Sequence, residues 1–299
     1  MFSRRHPYLH FILIFSTILS VSTIVISLIV MMGIKYTNQN DIEISNAEEK
    51  VGVIEVEGLI ADSHDIIQDI RRYREDDAIK AIVIRINSPG GSVGPSQEIS
   101  REILRTLQFK KVVASLGAVA ASGGYYIASA ASGIIANPGT ITGSIGVIMG
   151  YADVQGLLQK IGITPVVIKS GLYKDIGSPV RSMTDSEKNI LQTFSDQVHR
   201  QFITAVAEGR HLEYEKVASI ADGRVLSGEN AIELGLVDRL GNLEDAIEWA
   251  GQLGGIAGKV SAVYTRDKKL TFIRRLAESS LHEIMGQLSA NQFMVGYVL

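Results

Sequence analysis

The sequence of 299 residues contains no cysteine, and only 6% of its residues are aromatic. Without a thiol, a disulfide scaffold, a zinc ribbon, an iron–sulfur site and a cysteine nucleophile are all excluded. No charge of one sign dominates either, since 29 lysines and arginines face 32 aspartates and glutamates. A nucleic-acid-binding protein would be expected to concentrate basic residues on one face, so that class is disfavoured.

One stretch near the amino terminus, residues 11–34, has no ionisable side chain. A helix of that length rises about 36 Å, which is enough to cross a hydrocarbon core about 30 Å thick. A cleaved signal peptide would have a shorter apolar region ending in small residues, so we predict an uncleaved transmembrane anchor. Arg4 and Arg5 precede the span, which predicts that residues 1–10 are cytoplasmic and that the remainder lies outside the cytoplasm.

The remainder is predicted to consist of a polar linker at 35–50, a folded domain at 51–265 and a tail at 266–299. Short β-branched runs alternate with amphipathic segments in the folded domain, which is typical of an α/β domain with a mainly parallel sheet. The predicted strands are at 51–57, 80–86, 112–116, 134–137, 145–149, 165–169 and 260–264. Predicted helices include 96–107, 122–131 and 184–208, and Thr184 and Glu187 form a capping-box pattern at the start of the last of these. Apolar residues between 270 and 299 follow a rough helical register that suits a packing or oligomerisation tail.

A glycine-rich turn at 87–92, with the sequence NSPGGS, follows the second predicted strand and precedes a helix. Glycines in such a turn allow the backbone N–H groups to face outward, where they can hold an anion or a developing oxyanion. An ordinary strand-to-helix turn would have the same composition, so this segment alone decides nothing.

Ser122 occurs in the sequence AASGGYY, between the third strand and a predicted helix. A serine at this place could simply cap the helix, or it could be a nucleophile at the positive end of the helix dipole. The surrounding sequence is not the GxSxG elbow of the α/β-hydrolases, so that fold is disfavoured.

A serine nucleophile needs a base, and none of the six histidines lies in a glycine-rich or turn-like context. The alternative is a lysine, because a lysine in an apolar, closed pocket gives up its proton more readily. Lys174 is a candidate in the loop SGLYKDIGSP, although a solvated surface role would be expected for most lysines. Ser144, in the turn TGSIG, could position a lysine amine or merely stabilise its own turn.

Taken together, these motifs resemble the signal peptide peptidase A family of membrane-anchored serine proteases, in its short bacterial form. The matching segments occur in the family's order, and they are NSPGGSV (87–93), AASGGYY (120–126), TGSIGV (142–147), KSGLYKDIGSP (169–179) and ADGRVLSG (221–228). The resemblance covers roughly residues 51–250 and implies the Clp-protease/crotonase fold, a spiral of ββα units.

By this resemblance, Ser122 is the nucleophile and Lys174 the general base of a Ser–Lys dyad. Ser144 would hold the lysine amine, and the backbone N–H groups of Gly91 and Gly123 would form the oxyanion hole. The resemblance also implies a ring, of eight subunits in the short forms, in which neighbouring subunits supply the serine and the lysine of one site. The implied substrates are remnant signal peptides and other membrane-associated peptides, bound as extended chains along an edge near residues 91–94. No cofactor, metal or nucleic acid is expected.

Four other interpretations remain open on the sequence alone. A crotonase-type acyl-CoA enzyme would use the same glycine N–H groups to hold a thioester enolate. A membrane protease of the stomatin-partner type would share the Ser–Lys chemistry and differ in substrate. A catalytically inactive assembly scaffold would need neither Ser122 nor Lys174, and a triad could use His199 as its base.

Overall fold

A computed structural model describes residues 49–265 without a gap, together with residues 8, 15–17, 19–21 and 295–297. The chain divides into two units, Met1–Ala47 and Glu48–Leu299, and all of the strands described below belong to the second. Most of the predicted anchor at 11–34, almost all of the linker at 35–50 and most of the tail at 266–299 lie outside the described residues. Among the residues that are described, no helix is both long enough and apolar enough to cross a membrane.

The second unit is a mixed α/β fold in which strands and helices follow one another along the chain. The strands are β1 (Lys50–Ile60), β2 (Ile79–Ser92), β3 (Lys111–Ala121), β4 (Gly133–Ala136), β5 (Ile141–Gly143), β6 (Ile148–Met149), β7 (Val225–Ser227), β8 (Arg239–Leu240), β9 (Ser261–Tyr264) and β10 (Val295–Tyr297). The helices are α1 (His64–Glu75), α2 (Val93–Thr106), α3 (Gly123–Ser129), α4 (Gln155–Lys160), α5 (Asp185–Arg210), α6 (Tyr214–Ile220), α7 (Gly228–Glu233) and α8 (Leu243–Leu253).

The ten strands of the described residues form one sheet around the long strands β1, β2 and β3. These three pair in parallel, β2 lying between β1 and β3, and β4 and β9 extend the parallel region. The short strand β5 also pairs in parallel with β3, beyond the end of β4, and β7 pairs antiparallel with β5. The carboxyl ends of β2 and β3 therefore lie side by side. The glycine-rich residues 87–92, predicted to be a turn, form the last part of β2 itself, and Ser122 follows β3 directly.

Alternate residues of the central strands face two separate apolar layers, as the period of two in a strand requires. Ile82, Ile84 and Ile86 of β2 are fully buried on the face covered by α1, α2, α3 and α5. Ala81 and Val83 face the other way and pack against α8. Helices cover both faces of the central strands, which explains why these strands are almost continuously apolar in sequence.

Several predicted elements are confirmed, with boundaries shifted by a few residues. The predicted capping box of Thr184 and Glu187 opens α5. The side chains of Ser227 and Asn242 also cap helices, α7 and α8. The predicted strand at 145–149 is reduced to the two residues of β6.

The predicted strand at 165–169 is wrong, because the structure has no regular secondary structure between residues 163 and 169. The β-branched residues there suit a strand, but a strand also needs a neighbour that satisfies its backbone N–H and C=O groups. No described strand of the chain pairs with this segment, and the side chains of Val166 and Ile168 are 83% and 97% exposed.

Candidate active site

Ser122 occupies the sharp junction between β3 and α3. Its backbone has φ 55° and ψ −120°, a conformation that residues with a side chain rarely adopt. Two hydrogen bonds hold it there: the Ser122 N–H donates to the carbonyl of Gly143 at 2.9 Å, and the Tyr126 N–H donates to the carbonyl of Ser122 at 2.8 Å. Strain of this kind is typical of functional sites, where the surrounding structure over-determines the backbone.

The Ser122 side chain is fully buried, and its Oγ has no hydrogen-bond partner within the part of the chain that the structure describes. A buried hydroxyl without a partner costs free energy, so most folded proteins avoid it. Ser122 therefore does not act as an ordinary N-cap of α3, which was the alternative structural role for this residue.

Gly91 and Gly123, the two predicted oxyanion-hole residues, lie against each other. A Cβ atom built on Gly123 would be 3.3 Å from the Gly91 backbone nitrogen and 2.6 Å from Ser96 Oγ. A Cβ atom on Gly91 would be only 2.2 Å from the carbonyl oxygen of Ile60, on the neighbouring strand β1. The packing leaves no room for a side chain at either position, and it brings the end of β2 to the residue that follows Ser122.

The chain leaves the sheet at Ser144, next to the point where it leaves the sheet at Ser122. Gly143 is the register partner of Ala121 in the β3–β5 pair, so the next residues of the two strands start their turns side by side. Ser144 is buried, has φ 51°, and donates its N–H to the carbonyl of Arg224 at 2.8 Å. Among the described residues, only three non-glycine residues have a positive φ, and Ser122 and Ser144 are two of them.

Lys174, the predicted base, is exposed in the loop that precedes α5. The Ser122 hydroxyl has no hydrogen-bond partner among the described residues, so no such bond joins it to Lys174. The structure thus brings four of the five predicted residues together, Ser122, Ser144, Gly91 and Gly123, and it shows no hydrogen bond between the Ser122 hydroxyl and Lys174.

The loop that carries Lys174 and the helix that follows Ser122 contact α5 at two different places. The Tyr173 hydroxyl shares a hydrogen bond of 2.9 Å with Ser186 in the first turn of α5. The Tyr126 ring, one helical turn after Ser122, packs against Phe202 with the ring centroids 5.0 Å apart. Ser186 and Phe202 are sixteen positions apart on α5, so the two points of contact are about 24 Å apart along the helix axis.

Comparison with known families decides the type of protein. A family model described as peptidase family S49 matches residues 105–257, which is half of the chain. The chain belongs to peptidase family S49. A second model, described as Clp protease, matches residues 39–140 and agrees with the α/β fold of this S49 peptidase.

Individual relatives of the S49 peptidase agree with this assignment. A putative protease, slr0021, from Synechocystis sp. is 44% identical over 78% of this chain and 84% of its own length. A putative signal peptide peptidase SppA from Enterococcus faecium is 33% identical over 73% of this chain and 68% of its own length. Protease 4 from Haemophilus influenzae is 35% identical over 70% of this chain, which spans 35% of that longer protein.

The S49 peptidase is therefore a serine-type endopeptidase of the signal peptide peptidase A family. This assignment rules out two of the open interpretations, the acyl-CoA enzyme and the inactive scaffold. A histidine-based site gains no support from the geometry, because Ser122 Oγ and His199 Nε2 are both buried without a hydrogen-bond partner among the described residues. No serine–histidine hydrogen bond exists between them.

Two features of this region were missed by sequence reasoning. The carbonyl of Gly143 accepts the Ser122 N–H, and the glycine-rich turn at 142–146 was its only signal in the sequence. The short strand β10 pairs antiparallel with Gly91 and Ser92 on one side and with β6 on the other. An extended segment therefore lies along the edge beside the predicted oxyanion hole.

Proposed function

We propose that this endopeptidase cleaves remnant signal peptides and other membrane-associated peptides with Ser122 as the nucleophile and Lys174 as the general base. The observation that carries the proposal is the Ser122 hydroxyl, which is buried and unpartnered among the described residues on a strained turn next to Gly91 and Gly123. Its role as a nucleophile would account for both the strain and the missing hydrogen bond.

In the proposed reaction, Ser122 Oγ attacks the carbonyl carbon of the scissile peptide bond while a neutral Lys174 Nζ accepts the hydroxyl proton. The negative oxygen of the tetrahedral intermediate receives hydrogen bonds from the N–H groups of Gly91 and Gly123. Lys174 then returns its proton to the amine leaving group, and water hydrolyses the acyl ester on Ser122 by the same steps. Ser144 orients the lysine amine from its position beside Ser122.

The dyad is proposed to form between neighbouring subunits of a homo-oligomeric ring, with eight subunits as in the short forms that the sequence resembles. The length of α5 supports this arrangement, because about 24 Å of helix separates the contact made by Tyr173 from the contact made by Tyr126. A lysine from an adjacent subunit has no such constraint.

The segment before Lys174 also supports the assembly. Large apolar side chains are exposed on α4 and on the chain that follows it, and they are Leu157, Ile161, Ile163, Val166, Val167, Ile168 and Leu172. An exposed apolar surface of this extent is typical of a protein–protein contact. Residues 165–169 pair with none of the strands in the described part of the chain, and a neighbouring subunit would provide the partner strand.

Substrate is proposed to bind as an extended chain along Gly91 and Ser92. The antiparallel pairing of β10 with these residues supports this geometry, and a bound substrate would take the place that β10 occupies on this edge. Main-chain hydrogen bonds along such an edge give affinity, and pockets for alternate side chains give selectivity.

Residues 11–34 are proposed to be a single-pass anchor in the bacterial cell membrane, with the peptidase domain on the extracytoplasmic side. The run without ionisable side chains and the preceding arginines support this location. It would keep the active site close to peptides that remain in the bilayer, and the name of the Enterococcus faecium relative fits such substrates.

The decisive experiment uses the full chain in detergent and measures cleavage of a signal-peptide substrate. Ser122→Ala and Lys174→Ala are each expected to lose all detectable cleavage without a change in the mass of the assembly. Assemblies that contain both variants in equal amounts should recover about a quarter of the wild-type activity, because half of the subunits carry each intact residue. His199→Ala serves as the control and should cleave normally.

Full activity in Lys174→Ala would rule out the Ser–Lys dyad. Recovery of no activity in mixed assemblies, or full cleavage by a monomer, would contradict the shared site and leave the dyad within one subunit.

A further inference from the structure

The two residues that flank Lys174 are bonded to residues at the start of α5 and just before it. Tyr173 shares its hydroxyl hydrogen bond with Ser186, in the first turn of the helix. Asp175 is bound through its carboxylate by Arg181, which lies three residues before the N-cap Thr184. The backbone of Lys174 is thus fixed on both sides although its own side chain is exposed.

Arg181 is the centre of this arrangement, because its guanidinium binds two carboxylates at once. Its Nε and Nη2 donate to the two oxygens of Asp175 at 2.8 and 2.9 Å, and Nη2 also donates to the Asp175 carbonyl at 3.2 Å. On the other side, Nη1 and Nη2 donate to the two carboxylate oxygens of Glu187. Paired two-point contacts of this kind fix the orientation of both partners more strictly than a single charge contact does.

Glu187 connects Arg181 to the helix itself. Its carboxylate accepts the Thr184 N–H at 2.9 Å in the capping box, and its side chain is only 4% exposed. Hydrogen bonds from Arg181 and then from the Thr184 backbone lower the pKa of Glu187 to about 2. The pKa of Asp175 is also held well below its ordinary value, first by the hydrogen bonds from Arg181 and then by that from Lys169. Both carboxylates are therefore charged and available to Arg181 at neutral pH.

Lys169 binds the loop from the amino-terminal side of Lys174. Its Nζ donates to Asp175 Oδ1 at 2.5 Å and to the carbonyl of Leu172 at 2.9 Å, which bracket Lys174 in sequence. A loop of this length at a protein surface would ordinarily be mobile, and it needs this many contacts only if its geometry matters.

We infer that Arg181 is a positioning residue for Lys174, and that it sets the place and direction of the lysine by joining Asp175 to Glu187. The inference rests on the proposed function in one respect, the assignment of Lys174 as the general base. Arg181 does not touch the reacting atoms; it acts through the loop that carries them. A shift of about 1 Å in a reacting group can lower a rate by about a hundredfold, so the loss of this link should lower kcat strongly.

The test compares the full-length wild type with Arg181→Gln, Arg181→Lys and Asp175→Asn on one signal-peptide substrate. Arg181→Gln should lower kcat about 10- to 100-fold with KM little changed, because the substrate groove at Gly91 is untouched. The pH at which kcat/KM reaches half of its maximum should also shift, since a displaced lysine is proposed to meet different surroundings at Ser122. Arg181→Lys keeps the charge but not the two-point geometry, and it should give an intermediate kcat.

A double variant, Arg181→Gln with Asp175→Asn, should be no slower than the slower single variant, because the two residues act as one unit. The matched control is Arg210→Gln, which breaks the ion pair with Asp238 at the opposite end of the same helix. This control should keep the wild-type kcat and pH profile even if it lowers the melting temperature.

Several outcomes would overturn the inference. One is a wild-type kcat and pH profile in Arg181→Gln; another is additive losses in the double variant. If Arg181→Gln instead loses its assembly or melts early, Arg181→Lys decides the question. If Arg181→Lys has wild-type stability but a low kcat, the positioning role is supported. If its kcat recovers together with its stability, the positioning role is contradicted. Activity in Lys174→Ala would reject the proposed function separately, whatever Arg181→Gln does.

Discussion

The two halves of the proposed active site are built in opposite ways. Ser122, Ser144, Gly91 and Gly123 lie at the ends of buried strands and are held by backbone hydrogen bonds and close packing. Lys174 lies on an exposed loop after an exposed apolar segment, and side-chain ion pairs and hydrogen bonds hold it. The residues of the serine half are brought together within one chain, while we propose that the lysine half acts in the site of a neighbouring subunit.

The largest effect is expected from changing the serine half at Gly91. Gly91→Ala places a methyl group 2.2 Å from the carbonyl oxygen of Ile60, so the strand end must shift and move the Gly91 N–H away from its proposed oxyanion-hole position. We expect peptide cleavage to fall by about 10²- to 10³-fold, the usual loss for one oxyanion donor. Steady-state kinetics measures this loss.

Gly139→Ala is the matched control, because a Cβ at Gly139 has no heavy atom within 4 Å and the residue lies in an exposed turn between β4 and β5. Cleavage by Gly139→Ala should stay close to that of the wild type. If Gly91→Ala cleaves as fast as the control variant, the proposed role of the Gly91 N–H in the reaction is wrong.

An intermediate effect is expected from removing one isoleucine side chain in each half. Ile84 is fully buried in β2, so Ile84→Ala should lower the free energy of unfolding by about 2–5 kcal/mol. Ile168 is 97% exposed, so Ile168→Ala should leave the unfolding of a separated subunit almost unchanged. Denaturant unfolding measures the first quantity.

The two variants should rank in the opposite order when the mass of the assembly is measured in dilute solution, where Ile168→Ala should have the larger effect. Ile168→Ala should dissociate at a higher protein concentration than Ile84→Ala, since it removes apolar area from the proposed subunit contact. Equal dissociation of both variants would place the subunit contact elsewhere.

The smallest effect is expected in the lysine half, on the stability of the fold at low pH. Arg181 and the Thr184 backbone lower the pKa of Glu187 to about 2 from an ordinary value of 4.5. A lowered carboxylate pKa stabilises the fold fully above the ordinary value, and the contribution disappears as the pH falls toward 2. The melting temperature should therefore fall more steeply between about pH 5 and about pH 2 for the wild type than for Glu187→Gln. Parallel curves would contradict this role of Glu187.

Much of the central sheet and the serine half could be predicted from sequence because their signals are local. The buried strands are continuous apolar runs, and Thr184 with Glu187 marks the start of α5 three residues apart. The resemblance to the signal peptide peptidase A family implied that Gly91, Ser122 and Ser144 belong to one site, and the parallel strands bring their ends to one edge.

The lysine half could not be predicted in the same way. Residues 165–169 have strand composition, but pairing depends on a neighbour that the sequence of one segment does not specify. The contacts of Arg181 are six residues away on either side, at Asp175 and Glu187, and follow no helix or strand period. Only the folded loop brings these three charges together.

Helix α5 also restricts how this protein can change its length. Tyr173 and Arg181 are bound at its first turns, and Phe202 packs on Tyr126 sixteen positions after Ser186, so both ends of that span are fixed. A single inserted residue would advance one contact about 1.5 Å and turn it about 100° away from its partner. An insertion of seven residues would nearly restore the direction but add about 10.5 Å. Insertions and deletions among natural variants should therefore avoid the span from Ser186 to Phe202 and collect in the loops that end before residue 169.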